Sequence, residues 1–448
     1  MDGNLAEQQT TFFPNPTGLT GKLRAERITV IGLGYVGLPL AVALARNFEN
    51  VTGFDINRTR IGELSDGLDR TNEVDRLSLM NCGLTTTADS KALCGTTLFV
   101  VAVPTPVDQG NRPDLGPLTA ACRLIAPHLT KDSIVLFEST VFPGATEEVC
   151  AAELERYSGY REGDDFHVAY SPERINPGDR QHSLGAVKKI ISANSDAVFE
   201  RISSVYGTVV GAGIFHAASI KVAEAAKVFE NTQRDVNIAL MNEFALICDR
   251  LDIRTRDVIE ATGTKWNALP FTPGLVGGHC IGVDPYYLAT RAEEAGIHAE
   301  IILAARRRND AMATEVARRA IRRVSEMNLR PKEARIGIFG VAFKENVPDI
   351  RNSRVVDIVS ELRTYGIEPL VNDPVVRDAG ISPTEIELSG FDQVRELDVL
   401  ILAVPHRAYL AGKGRFLAEF VRSGGMIMDV KSCLDQAALP SDIAHWSL

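Results

Sequence analysis

Ile28–Ala41 reads ITVIGLGYVGLPLA, and eighteen residues after Gly37 the run VTGFD ends on Asp55. A β-branched run that meets Gly32-x-Gly34-x-x-Gly37 just where helical spacing begins predicts strand, tight turn and helix in succession. In that context Gly32 makes the turn, Gly34 lets a pyrophosphate approach the backbone, and Gly37 lets helix pack on strand. The helix N-terminus then faces the phosphates. Asp55 suits a ribose diol and repels a 2′-phosphate, so the pattern predicts NAD rather than NADP. Arg58 could in principle pair with that phosphate, but beside a first helical turn it reads as a solvated charge. A glycine turn without a ligand is the plainer alternative.

Outward from this unit the same alternation continues. TLFVVAVPTP, SIVLFEST and HVAYSPE are short apolar runs between helical patterns, which implies parallel βαβ units. Near Ser219 the text turns helical for some thirty positions, too long for an ordinary globular helix, and a second helical stretch runs from about Ala299 to Met327. Beyond Pro331, ARIGIFG restarts the alternation, continuing through VVDIVSELRTYG, EPLVNDP, DVLILAVP and GMIMDV. The expected fold is α/β: two Rossmann-like doubly wound domains joined by a long helical spine. The expected domains are a flexible arm at 1–26, an NAD-binding domain at 27–211, a central dimerisation domain at 212–329 and a substrate domain at 330–448.

A chain of 448 residues is too long for one core. Its 48 Lys and Arg against 58 Asp and Glu leave net charge −10, with no basic field to draw nucleic acid or anionic lipid. Apolar stretches are strand-sized and the first residues lack a signal-peptide pattern, so a cytoplasmic location and no membrane partner are expected. Seven cysteines at 82, 94, 122, 150, 248, 280 and 433 show no CxxC or CxxH spacing, so no metal site is expected and six read as core thiols.

Cys280 stands apart in GLVGGHCIGVDPYY. Glycines leave amides exposed around the thiol, and those amides or His279 would favour the thiolate. A nucleophile and a small side chain filling a tight loop are both open readings. Lys227 and Asn231 lie four apart on the long helix with Glu224 nearly alongside, so ammonium and amide can address one centre. A solvated helix face is the alternative.

These residues together resemble the UDP-glucose/GDP-mannose dehydrogenase family from Arg27 to about Asp435. The motifs are VIGLGYVGLPLA, VPTPVD, ESTVFPGATEE, YSPERINPGD, AEAAKVFENTQRDVNIALMNE, GLVGGHCIGVDPYYL and FKENVPDIRNS, in the family's order and spacing. YSPERINPGD with the long helix is similar to the UDP-N-acetylglucosamine 6-dehydrogenase branch of the Vi-capsule type. The resemblance implies a four-electron oxidation of a UDP-N-acetylhexosamine at its 6-hydroxymethyl to a uronate, for a surface polysaccharide precursor. It also implies two NAD molecules used in turn, a thioester on Cys280, and a homodimer. Lys227 and Asn231 would stabilise oxyanions. Asp284, Thr105 and Glu173 would surround the reacting carbon and its water. Cofactor contacts would include Gly32, Gly34, Tyr35, Val36, Gly37, Asp55, Arg60, Thr105 and Thr140. Substrate contacts would include Glu173, Arg174, Lys227, Asn231, Gly277, Lys344 and Arg351.

One departure bears on the substrate. Members acting on UDP-glucose carry an acidic residue where this chain has Pro177, which leaves room for an acetamido group. UDP-N-acetylgalactosamine, UDP-N-acetylmannosamine and UDP-glucose remain alternatives. So do a two-electron β-hydroxyacid or 6-phosphogluconate-type dehydrogenase, which has no use for Cys280, and an inactive NAD/UDP-sugar-binding regulatory protein.

Overall fold

The computed structural model describes residues 26–108, 110–174, 184–278, 280–381, 383–384 and 386–448. Pro177, His279 and the expected arm other than Glu26 lie outside the described residues. The chain divides into two compact units, Met1–Glu230 with Tyr286–Gly296, and Asn231–Pro285 with Ile297–Leu448.

The first unit is built on β1 (Arg27–Ile31), β2 (Asn50–Phe54), β3 (Thr85–Thr87), β4 (Leu98–Val101), β5 (Ser133–Phe137), β6 (Phe166–Tyr170), β7 (Lys189–Ala193) and β8 (Ile214–His216). They form one eight-stranded sheet in the order β3-β2-β1-β4-β5-β6-β7-β8. All neighbours are parallel except β6 and β7, which pair antiparallel with Tyr170 opposite Ser192. The strands read as unbroken apolar runs because both faces are covered. Leu98, Val100, Ile134 and Leu136 enter one core, and Phe99, Val101, Val135 and Phe137 enter another. Helices α1 (Gly37–Ala45) and α2 (Arg58–Ser65) follow β1 and β2, and α3 (Asp196–Tyr206) lies between β7 and β8. Asn57 and Ser195 cap α2 and α3 through their side-chain oxygens, as short polar residues do at helix starts.

The expected long helix is α4 (Ile220–Arg250), 31 residues that run through the division of the chain between Glu230 and Asn231. Helices α5 (Asp284–Glu294) and α6 (Glu300–Glu326) follow. In the second unit β9 (Ile336–Phe339), β10 (Leu370–Asn372), β11 (Leu397–Leu402), β12 (Val421–Asp429) and β13 (Ala444–Ser447) form a parallel sheet in the order β10-β9-β11-β12-β13. One face meets α6 through Met312, Val316, Ala320 and Val324 and meets α7 (Val355–Thr364) through Ile358 and Leu362; the other holds a cluster with Phe339, Leu400, Tyr409 and Phe420.

The expectation of six core thiols needs correction: Cys82, Cys122, Cys150 and Cys248 are buried, but Cys94 and Cys433 are exposed. Cys94 follows the short turn Ser90–Leu93, which sends Leu93 inward and leaves its neighbour on the surface. Among the described residues no helix is long and apolar enough to cross a membrane.

Candidate active site

The turn after β1 has the form its sequence requires. Gly32 holds φ +92° with its amide on Phe54 O at 2.8 Å, and a Cβ there would meet Ala102 O at 2.7 Å. A Cβ at Gly37 would lie 1.8 Å from Gly32 O, so helix and turn touch only because both are glycine. Gly34, by contrast, is exposed, and a Cβ there meets nothing within 4 Å. Open backbone at Gly34 and an α1 N-terminus with no side-chain cap fit a pyrophosphate. Asp55 Oδ2 accepts from Leu33 N at 2.9 Å and Oδ1 from Asn57 N at 2.9 Å, leaving the half-buried carboxylate at the end of β2. Arg58 is exposed, as a solvated charge should be. Arg60 is buried, donating from Nε to Leu33 O at 3.0 Å and from Nη2 to Asp69 at 2.7 Å, so its guanidinium braces the turn from behind. Tyr35 and Val36, half-buried, complete the turn.

Past the carboxyl ends of the next strands stand Thr105, Thr140 and Glu173. Thr105 Oγ1 donates to Thr140 O at 2.7 Å, and Tyr287 OH donates to Thr105 O at 2.9 Å, tying the VPTP turn to α5. Glu173 is 8 % exposed; its Oε1 accepts from Arg174 N at 2.6 Å and its Oε2 from Lys189 Nζ at 3.0 Å. Arg174 turns to Glu230 of α4 at 2.6 Å. Lys189 also meets Glu138 at 2.9 Å, and Glu138 accepts from Tyr206 OH at 2.6 Å. Lys189, Glu138 and Tyr206 were not singled out from sequence; the one signal for them was a lysine opening an otherwise apolar strand.

Of the two readings of the long helix, the solvated face is excluded: Lys227 is 9 % and Asn231 8 % exposed, and Glu224 is fully buried. Glu224 accepts from Gly144 N at 2.5 Å and Thr146 N at 2.8 Å, anchoring the FPGAT turn. Burial pushes its carboxyl up to about 7 against the pull of those amides.

In the second unit the cysteine loop is held from both flanks. Asn242 of α4 brackets Gly274, accepting from its amide at 2.8 Å and donating to its carbonyl at 3.0 Å. Asn352 Nδ2 donates to Gly278 O at 3.1 Å, and Arg354 Nε to Val276 O at 3.2 Å. A Cβ at Gly277 would fall 2.7 Å from Asn352 O, so glycine permits this approach. Cys280, half-buried, ends the loop, and its carbonyl accepts from Val283 N and Asp284 N as α5 begins. Asn231 Nδ2 donates to Asp284 Oδ2 at 2.5 Å. The structure thus brings together Cys280, Asp284 and Asn231, with Lys227 one helical turn from Asn231. Two other thiols are held from ionising: a contact with Cys122, then burial, holds Cys150 well above the usual range, and partial burial of the sulfur with the Asp429 carboxylate pushes Cys433 up to about 12.

Lys344 and Arg351 lie on the segment between β9 and α7 that also carries Asn352 and Arg354. Arg351, exposed, folds onto Asp349 with Nη2 at 2.6 Å from Oδ2. Among the described residues no group of three or more His, Cys, Asp or Glu is placed to hold a metal ion.

This arrangement has known counterparts. Three family models match in order: the NAD binding domain of the UDP-glucose/GDP-mannose dehydrogenase family at residues 26–210, its central domain at 221–311 and its UDP binding domain at 337–436. The chain is 48 % identical over 423 residues to Protein CapL of Staphylococcus aureus, covering 94 % of this chain and 99 % of that protein. It is 46 % identical over 417 residues to a UDP-N-acetyl-D-glucosamine 6-dehydrogenase of Pseudomonas aeruginosa, covering 92 % and 97 %. Among solved structures, a UDP-D-ManNAc dehydrogenase from Pyrococcus horikoshii superposes with a TM-score of 0.84 at 32 % identity, covering 94 % of this chain and 98 % of that one. The chain belongs to the UDP-glucose/GDP-mannose dehydrogenase family and is an NAD-dependent nucleotide-sugar dehydrogenase.

Proposed function

We propose that this enzyme oxidises the 6-hydroxymethyl of a UDP-N-acetylhexosamine, UDP-N-acetyl-D-glucosamine foremost, to the uronate through a covalent intermediate on Cys280. The observation that carries this reading is the junction of the cysteine loop and α5, where Asp284 four residues after the thiol is hydrogen-bonded to Asn231. The sugar assignment is supported by relatives: the one named for N-acetylglucosamine is 46 % identical, against 32 % for the mannosamine structure.

NAD, when bound, supplies the hydride acceptor, and oxidation of an alcohol to a carboxylate needs two equivalents in succession. Gly34, the α1 N-terminus and Asp55 hold its pyrophosphate and ribose. Cys280 Sγ adds to the C6 aldehyde carbon, so the half-oxidised sugar stays on the protein. After the second oxidation the C6–S bond is a thioester; water adds to it, and the carboxylate leaves as the thiol regains its proton. Lys227 and Asn231 donate to the C6 oxygen as it gains negative charge. Asp284, Glu173 and Thr105 position the water, and a carboxylate, Asp284 or Glu173, receives its proton. Lys344, Arg351, Arg174 and Gly277 serve the UDP-sugar, the two cations on its diphosphate. Thr140 faces the cofactor beside Thr105, and Tyr35 and Val36 line its turn.

A homodimer is the assembly we infer. Leu240, Phe244, Ile247 and Leu251 are all exposed at helical spacing along α4 and its end, an apolar stripe suited to the same stripe on a second copy. The product suits a cytoplasmic route to surface polysaccharide. Supplying each UDP-sugar epimer with NAD and weighing the product tests the substrate: a uronate formed fastest from UDP-N-acetyl-D-glucosamine is expected, and preference for another epimer overturns that choice. Cys280→Ser should lose uronate formation while still binding NAD; full activity in that variant refutes the covalent step.

A further inference from the structure

The mechanism leaves the buried charge of Lys189 without a task. Lys189 opens β7 at 3 % exposure, its ammonium between Glu138 at 2.9 Å and Glu173 at 3.0 Å. The reversed direction of β7 puts it there. Ala169 pairs with Ala193 and Tyr170 with Ser192, and continuing that register sets Lys189 opposite Glu173, just past the carboxyl end of β6. In a parallel strand the first residue would lie at the other edge of the sheet, away from the ligand crevice.

Of the two carboxyls that meet the ammonium, Glu138 is the more enclosed, at 1 % exposure, and burial beside Glu173 favours its protonated form. The hydrogen-bond partners agree. Glu138 Oε1 accepts from both Lys189 and Tyr206 OH, while its Oε2 is buried with no hydrogen-bond partner among the described residues. Glu173 has donors on both oxygens, the Arg174 amide and Lys189. Tyr206 is a neutral phenol that donates to Glu138, and Arg174 is matched by Glu230.

We propose that Lys189 is a positioning residue that holds Glu173 ionised at the carboxyl end of β6, with Glu138 kept as its protonated partner. This rests on the reading of Glu173 as an active-site carboxylate. Burial, opposed by Lys189 but assisted by the Glu173 charge, raises Glu138 above the usual carboxyl range. Burial disfavours the Lys189 ammonium, yet its two acidic partners outweigh that and raise it. Hydrophobic replacement of a buried ion pair often costs no stability, so a charge cluster at the sheet's ligand edge points to chemistry.

The test is the pH profile of uronate formation in Lys189→Met, with Glu138→Gln and Glu173→Gln as controls. Losing the ammonium should raise the acidic limb of kcat, cutting turnover about tenfold at neutral pH and restoring most of it in alkali. An unmoved limb overturns the proposal, however low the rate. Should Lys189→Met fail to fold, infrared difference spectra between wild type and Glu138→Gln at neutral pH decide. A protonated-carboxyl band lost in Glu138→Gln supports the proposal; an ionised-carboxylate band lost instead overturns it. If Glu173→Gln turns over like wild type, the reading of Glu173 falls and the proposal with it. If Glu173→Gln is impaired while Lys189→Met keeps the wild-type limb, the proposal alone fails.

Discussion

The turn after β1 and the turn after β9 are built alike and used differently. Gly32 and Gly340 sit at φ +92° and +89°, and a Cβ at either would lie under 3 Å from a backbone carbonyl, Ala102 O at 2.7 Å or Val404 O at 2.6 Å. Each has its amide on the last residue of the neighbouring strand at 2.8 Å, Phe54 O or Asn372 O, and each is followed there by an aspartate, Asp55 or Asp373. From this point they diverge. Asp55 is half-buried with helix α1 starting five residues past Gly32, so carboxylate and helix amides stay within reach of a dinucleotide. Asp373 is 1 % exposed and accepts from Val341 N, Ala342 N and His406 Nε2. Its turn runs not into a helix but into the long segment bearing Lys344, Arg351, Asn352 and Arg354, ahead of α7. The same local turn therefore opens toward a dinucleotide in one unit and makes a closed structural joint in the other, where the proposed UDP-sugar contacts lie on the inserted segment.

Substituting the shared glycines puts the likeness under the greatest strain. Gly32→Ala and Gly340→Ala should each destabilise by roughly 3 kcal/mol or more in thermal unfolding, because the added Cβ meets Ala102 O or the buried Val404, neither of which can yield. Tolerance at either site breaks the equivalence. The two aspartates should then part company. Asp373→Asn removes a buried charge from its histidine and amides and should cost roughly 3 kcal/mol with the NAD KM unchanged. Asp55→Asn should leave stability nearly intact and raise the NAD KM about tenfold, with discrimination against NADP narrowed.

Their acid dependence adds a signed test. Burial works against ionisation of Asp373, but His406 and the amides of Val376 and Val341 outweigh it and hold the carboxyl below its usual value. That stability is present above the ordinary carboxyl range and is lost as pH falls through the lowered value. Glu224 in the first unit has the opposite sign. Its native value of about 7 exceeds the ordinary 4.5, so stability should fall by roughly 3 kcal/mol as pH rises between them and level off above. Glu224→Gln should flatten that decline in denaturant titrations; an unchanged slope contradicts the assignment. The smallest effect is expected at Gly34→Val, where open space should leave the melting temperature within a degree or two while the NAD KM rises about tenfold.

What the sequence disclosed follows from how locally each feature is encoded. Gly32 and Gly37 were legible because strand, turn and helix lie within a few dozen residues and each of these glycines has its own steric reason. The sheet architecture followed from apolar runs buried on both faces. Cys94 and Cys433 misled because apolar neighbours such as Leu93 turn inward while the cysteine beside them does not. Lys189 was invisible because its role depends on β7 running against its neighbour, a property of topology that no spacing records. Asn352 and Arg354 escaped likewise, reaching the cysteine loop across 74 and 78 residues of chain.

The central claim is that one thiol retains the sugar between its two oxidations. Rapid acid quench of the enzyme turning over UDP-N-acetyl-D-glucosamine and NAD, followed by peptide mass mapping, tests it most directly. The account predicts a sugar-nucleotide adduct on the Cys280 peptide and two NADH formed per uronate released. An unmodified Cys280 peptide, with free aldehyde accumulating at one NADH per sugar, would contradict it.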